Sequence, residues 1–388
     1  MHRRAFFKTS GSAAVALAVG GCASRIGPQT TPTQAVRRRL VNLVPVECSM
    51  DRIIRTTVGL RPTRKSGFLL RADRLDDKTV IHNFGHGSEG MTLSWGTGFL
   101  AADLAMAHTD RRAAVIGCGI VGLTSARQLQ RRGFDVTIYA MAVPPNTTSN
   151  MSGANFERDT LESPSEQTRR AAEIAYREHQ LLVGSGYGVR WLNVYTLGND
   201  VPAAFAAWVA AAPPGLVGAL MLGPGEHPFG TKYAFQNSQM SFEPSIYLDA
   251  LMRDVLTFGG RIVVRAFETP RDLMALPERL IVNCSGLGAK ALFGDDELHP
   301  VKGQLHVLVP QPEVNYRVSP GMTPRSDGIV LGGTAEAGVW TLDVNEEAKK
   351  RIIGRNAAVF NAMRPPLVGV PITGLGTPAP VPGVDRSS

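Results

Sequence analysis

Two glycine-rich turns and one arginine are where this chain of 388 residues could do chemistry. Gly117-Cys118-Gly119-Ile120-Val121-Gly122 has the GxGxxG spacing. Gly117 permits a tight turn, Gly119 lets a pyrophosphate approach the backbone, and Gly122 lets a helix pack closely on a strand. A second small-residue turn, Cys284-Ser285-Gly286-Leu287-Gly288, follows the apolar run Leu280-Ile281-Val282-Asn283. It is another place where backbone can approach something flat or charged. Arg61, in Gly-Leu-Arg-Pro, carries the planar fork that fixes a carboxylate by two parallel charge-assisted bonds, which a lysine cannot do. The bland alternative for Arg61 is a surface ion pair. Cys118 and Cys284 read as packing residues rather than reactive thiols.

These turns need elements to hold them. Residues 113–116 read as a short buried strand that runs into the first turn. Leu123 to Arg132 read as a helix ended by Gly133, and residues 134–139 as a second strand. Strand, GxGxxG, helix and strand in succession is the context that turns a weak motif into a dinucleotide site. The phosphates would sit at the positive N-terminus of the helix. The acidic residue that usually holds the adenosine ribose is missing, since the second strand ends Tyr139-Ala140-Met141. That weakens a simple NAD-dependent reading. Met91 to His108 read as a further helix, preceded by the glycine-rich loop 85–90.

Composition bounds the rest. Hydrophobic residues make up 44% and charged residues 19%, which excludes an intrinsically disordered chain. The length favours one large two-lobed unit or two domains. No apolar run is long enough for an ordinary membrane span. Four cysteines without CxxC spacing exclude a disulfide scaffold. No metal site and no nucleic-acid partner is expected. Arg3, Arg4 and Lys8 contribute three positive charges to the net +8, and the remaining +5 needs no nucleic-acid explanation.

The first residues read as an address. Arg3-Arg4 followed by Phe6-Phe7-Lys8 and a weakly apolar stretch resembles a twin-arginine export signal. Val19-Gly20-Gly21-Cys22 resembles a lipoprotein box, with Cys22 as the lipid anchor. Residues 1–22 are therefore assigned as export signal and 23–33 as a tether, placing the protein in the periplasm or cell envelope. A chance basic N-terminus would leave it cytoplasmic.

Taken together, these pieces resemble the D-amino-acid oxidase family of FAD-dependent oxidoreductases. The resemblance covers residues 34–360. Its specific stretches are 115–122, Thr147-Thr-Ser-Asn-Met-Ser-Gly-Ala-Asn155, 281–286, His299-Pro-Val-Lys-Gly-Gln304 and Ile329-Val-Leu-Gly-Gly-Thr334. Val58-Gly-Leu-Arg-Pro62 and His82-Asn-Phe-Gly-His-Gly-Ser-Glu-Gly-Met-Thr-Leu-Ser-Trp-Gly96 are the most telling. In the family those two lie near the C-terminus, whereas here they precede the GxGxxG turn, so the chain looks circularly permuted. The short polar junction 109–112 would join the end of helix 91–108 to the strand at 113, and such joins are tolerated where termini are close.

The resemblance implies an α/β fold, with a Rossmann-like FAD-binding domain and an antiparallel-sheet substrate domain. It assigns FAD binding to 59–64, 80–160, 240–292 and 325–345, a substrate lobe to 161–239 and 295–324, and a disordered tail to 361–388. Arg61 would hold the substrate carboxylate beside Ser88. Gly117, Gly119, Ile120, Val121, Gly122, Thr147, Thr148, Ser149, Ala154, Asn155 and Ser285 would contact FAD. Gly85, Gly87, Gly90, Met91 and Thr92 would lie along the flavin edge, where the helix N-terminus favours negative charge. His86 and Arg64 are expected to be structural.

The implied reaction is oxidation of a D-amino acid by FAD and oxygen, giving a 2-oxo acid, ammonia and hydrogen peroxide. A homodimer is the remaining partner expectation. One part of the pattern is broken. The family's substrate-side tyrosine has no counterpart, because Met322-Thr323 runs straight into Pro324-Arg325 and Tyr316 is out of register. Glu89, beside the flavin loop, could also change what binds. A related oxidase of glycine, sarcosine or D-aspartate, or a flavin-binding paralogue without catalysis, therefore stays open.

Overall fold

A computed structural model of the chain describes residues 40–153, 155–201 and 220–374. The export signal, the tether, Cys22 and Ala154 lie outside the described residues.

In chain order, the first elements are β1 (Ile53–Thr63), β2 (Leu69–Leu75), β3 (Lys78–Phe84) and α1 (Gly90–Ala105). Next come β4 (Arg112–Ile116), α2 (Ile120–Gln130), β5 (Asp135–Ala140) and α3 (Glu166–Leu182). The middle of the chain gives β6 (Val189–Gly198), β7 (Leu220–Leu222), β8 (Tyr233–Phe242) and α4 (Pro244–Thr257). These are followed by β9 (Arg261–Val264), α5 (Pro270–Met274), β10 (Leu280–Asn283) and α6 (Gly288–Phe293). The last are β11 (His299–Leu308), β12 (Tyr316–Ser319), β13 (Met322–Arg325), β14 (Gly328–Gly332), β15 (Glu336–Ala337) and α7 (Glu346–Asn361).

The strands form two sheets. The smaller has the order β2-β3-β10-β4-β5-β9. From β3 to β9 its neighbours are parallel, and β2 closes one edge antiparallel to β3. Its central strands are continuous apolar runs because both faces are covered: every residue of β10, and Ala113 to Ile116 of β4, is buried. α1, α2 and α4 cover one face, and the buried Trp95 indole of α1 donates to the Tyr247 hydroxyl of α4 at 2.7 Å. A smaller cluster with Leu273 and Leu276 covers the other face. The junction from α1 to β4 spans 106–111 and is pinned by Asp110, whose carboxylate accepts from the Arg112 amide at 3.0 Å.

The larger sheet runs β1-β11-β14-β13-β12-β6-β8-β7, with β15 on β11, and most of its pairs are antiparallel. Its outer face is packed by residues 41–46, α7 and Met363. Tyr316 belongs to that outer core and donates its hydroxyl to the Val44 carbonyl at 2.8 Å.

Segments 59–64 and 325–345, expected in the FAD-binding domain, belong to strands of the larger sheet, β1, β13, β14 and β15. β1 alone pairs with β11 over its whole length. Residues 161–182 were assigned to the substrate lobe, yet α3 packs on α1 of the smaller sheet, so closely that a Cβ on Gly96 would lie 1.8 Å from the Ala171 carbonyl oxygen. Finally, the disordered tail cannot begin at 361. Met363 is buried, and Asn42 ties down the segment after it. The Asn42 carboxamide donates to the Val370 carbonyl and accepts from the Leu367 amide, each at 2.9 Å, while its backbone exchanges bonds with Thr373.

Candidate functional site

A cavity of about 480 Å³ opens beyond the C-terminal ends of the parallel strands, lined by residues that end β3, β4 and β5 and that follow β9 and β10. That is where open α/β sheets bind ligands, and the volume is in the range of small-molecule sites.

At its centre, the first turn is shaped by glycine in two ways. Gly117 sits at φ +111°, and a Cβ there would lie 2.5 Å from the Cys284 carbonyl oxygen. A Cβ on Gly122 would lie 2.0 Å from the Gly117 carbonyl oxygen, which is the close helix–strand contact expected of it. Gly119 is different. Its added Cβ would meet only the Ser149 hydroxyl, at 3.1 Å, so that position faces open cavity. The Ser149 hydroxyl accepts from the Ile120 amide at 3.0 Å, placing a hydroxyl at the N-terminus of α2. Burial pushes the Cys118 and Cys284 thiols up to about 12, so both stay protonated and pack.

Arg61 stands on the cavity wall at the β3 and β10 side of the sheet. Thr63 bridges to His86, and Pro62 is the neighbour that a Cβ on Gly286 would touch. Gly303 makes room for the guanidinium, since a Cβ there would lie 2.5 Å from Nη2. Nη1 donates to the Thr334 carbonyl at 3.1 Å. Among the described residues no carboxylate pairs with Arg61, and burial alone lowers its pKa. Arg64, by contrast, is spent on Asp295 at 2.9 Å. His86 is fully buried, bonded to the Thr97 hydroxyl and stacked on Phe68 at 5.0 Å. Burial holds its pKa near 3, so it is neutral near pH 7 and adds no charge to the site.

The wall contains most of the residues expected from the sequence. Arg61 and Ser88 lie on it, as do Gly87, Gly90 and Met91 from the loop before α1. Gly117, Gly119, Ile120 and Val121 join them, with Thr147, Thr148, Ser149 and Ser285. Three do not reach it. Gly122 packs behind the turn. Thr92 is buried with its hydroxyl donating to the Asn155 carbonyl and accepting from the Glu157 amide, and Asn155 is buried beside it. Thr92 and Asn155 thus brace the segment after 151 rather than face the cavity. Glu89 also stays off the wall, its pKa raised by burial and by the carboxylates of Glu157 and Asp159.

The sequence reading missed Arg265 and Phe267, which follow β9 and line the cavity with Met141. The signal was present, because Arg261-Ile-Val-Val264 is a short β-branched run.

The donor set suits an anionic dinucleotide. Among the described residues, the charged side chains on the wall are two arginines, Arg61 and Arg265, with no acid. Hydroxyls of Thr147, Thr148 and Ser149, the amides opening α2 and the open space over Gly119 complete a pyrophosphate cradle. FAD fits these residues.

Comparisons agree. The family described as FAD dependent oxidoreductase matches residues 11–104 and 112–383. A D-amino-acid oxidase of Streptomyces coelicolor is 30% identical over 273 residues, 67% of this chain and 80% of that protein. Human D-aspartate oxidase is 27% identical over 263 residues, 64% of this chain and 75% of its own. Among solved structures, glycine oxidase from Bacillus cereus superposes with a TM-score of 0.52 at 14% identity, covering 65% of this chain and 79% of that one. That likeness concerns the fold.

Proposed function

The chain belongs to the family of FAD-dependent oxidoreductases, and from that premise we propose that it oxidises the amine of a D-amino acid. The observation that carries this reading is Arg61: a half-buried guanidinium on the wall of a cavity without acids, with no ion pair among the described residues. A partly desolvated cation without an anionic partner gains from one, so a ligand carboxylate is its natural partner. Arg61 would orient the substrate by its carboxylate, and orientation is the protein's share of the work. Gly303 and the Thr334 carbonyl hold the fork in place. Neutral His86 and the protonated thiols take no part in proton transfer. When bound, FAD supplies the acceptor for the two electrons of the substrate α C–H bond. The imino acid released would add water to give a 2-oxo acid and ammonia, with oxygen leaving as hydrogen peroxide.

A second reading has its own support. Tyr316 faces the outer core and so does not complete the carboxylate clamp, as a flavin binder without turnover would allow. One experiment separates the two. Purified protein is expected to be yellow, to release FAD on denaturation and to form peroxide with D-alanine or D-aspartate. Yellow protein inert to every amine offered supports the binder, and colourless protein that takes up no FAD removes both readings.

The chain order is read as a circular permutation. Its support is the two-block family match and the short junction from α1 to β4. Export is proposed from Arg3-Arg4, with Cys22 as lipid anchor. Changing both arginines to lysine is expected to trap the precursor in the cytoplasm, and unchanged fractionation would count against a twin-arginine route. Cys22→Ala is expected to abolish membrane association.

A further inference from the structure

The second cavity arginine stands where a dinucleotide site ordinarily presents an acid. A carboxylate at the end of the second strand usually accepts from the adenosine ribose hydroxyls. Here β5 ends at Ala140, and Met141 follows with 80% of its surface exposed. The adjacent parallel strand, β9, runs directly into Arg265, whose backbone amide donates to the Ala140 carbonyl at 2.9 Å. That bond fixes the arginine beside the vacant carboxylate position.

Its side chain is supported from below. The guanidinium carbon lies 4.9 Å from the centroid of the Phe267 ring, and Tyr139 meets that ring edge-on at 6.0 Å. Tyr139 is itself held by its hydroxyl, 3.3 Å from the Glu278 carboxylate. Among the described residues the Arg265 guanidinium makes no hydrogen bond and no ion pair. It is stacked on Phe267 at the wall of the cavity that Gly119 opens into.

The spacing fits one extended ligand. β3, beside Arg61, and β9, beside Arg265, are four strands apart in the sheet, roughly 19 Å at the usual strand separation. The phosphate turn that leads into α2 follows β4, between them. A molecule with its flavin toward Arg61 and its pyrophosphate over Gly119 would bring its adenosine to Arg265.

We propose that Arg265, shelved on Phe267, is the adenosine-recognition residue of this site and replaces the missing carboxylate. An arginine cannot accept from ribose hydroxyls. It can donate to them or to an adenine ring nitrogen, and its plane can stack on a base. Its positive charge also favours the adenylate phosphate nearby. Recognition of the adenosine half is thereby changed from accepting to donating and stacking. The inference rests on the reading that the cavity holds FAD.

The test is a titration of flavin-depleted full-length protein with FAD, FMN and ADP. FMN lacks the adenosine, and ADP lacks the flavin. Arg265→Ala is expected to weaken FAD and ADP about tenfold to a hundredfold while FMN changes less than about twofold. Arg265→Lys, which keeps the charge without the plane, is expected to fall between. FAD and ADP bound as tightly as by the unaltered chain would overturn the assignment. So would equal weakening of FAD and FMN, which would report a change in the site as a whole. If the unaltered chain binds none of the three, the cofactor reading itself fails, and the assignment falls with it.

Discussion

Arg61→Ala is expected to lower kcat/KM for a confirmed D-amino-acid substrate by roughly two to four orders of magnitude. Each charge-assisted hydrogen bond to the substrate carboxylate contributes about 1.5–3 kcal/mol, and a fork makes two. The loss is then roughly 3–6 kcal/mol of transition-state binding, at about 1.4 kcal/mol per tenfold. Protein stability should barely move, because Arg61 has no carboxylate partner to abandon and its burial already works against its charge. FAD content should also be unchanged. Arg61→Lys should recover only part of the loss, since an ammonium lacks the planar fork. Steady-state peroxide formation, FAD content and a melting curve on the same preparations decide the matter. Full activity in Arg61→Ala would show that the carboxylate is held elsewhere. Loss of FAD from that variant would show that Arg61 serves the cofactor.

The parts of this site that could be read in the sequence are those whose physics is local. The short apolar run Ala113 to Ile116, bounded by the glycine-rich turn, reads as a covered strand, and the turn after it needs glycines because neighbouring backbone leaves no room for a Cβ. Arg61 announced itself through Gly-Leu-Arg-Pro. What escaped depends on distant partners. Nothing local in residues 59–64 names the sheet they join, because their partner, β11, begins at His299. The proline-rich segment after 361 reads as unpacked, yet the single side chain of Asn42 satisfies its backbone from the other end of the described chain. Tyr316 is legible as out of register but not as facing outward, because that depends on Val44 accepting its hydroxyl. Arg265 escapes a local reading because it lies on a different segment from the missing acid at the end of β5. The parallel neighbour that brings the arginine alongside is a tertiary fact.

Gly119→Val should do the reverse of Arg61→Ala, stripping FAD while leaving the fold standing. The three glycines of the turn are not equivalent. A side chain on Gly117 or Gly122 would collide with backbone, at 2.5 Å and 2.0 Å, so substitution there disturbs the protein whether or not a ligand binds. Gly119 has φ −77° and ψ −177°, an extended conformation open to valine, and its Cβ would meet only the movable Ser149 hydroxyl. The valine methyls would instead project into the cavity, over the amides that open α2. A pyrophosphate pushed off those amides loses at least two charge-assisted bonds, about 3–6 kcal/mol. The Kd for FAD should therefore rise roughly a hundredfold to ten-thousandfold. The expected product is colourless protein with a melting temperature close to that of the flavin-depleted parent. Yellow protein with one FAD per chain would mean that the phosphates do not cross Gly119. A collapse in melting temperature without ligand would mean that Gly119, like Gly117 and Gly122, serves packing. Because Arg61→Ala should spare FAD binding and Gly119→Val should abolish it, the pair locates the substrate and phosphate ends of the cavity independently.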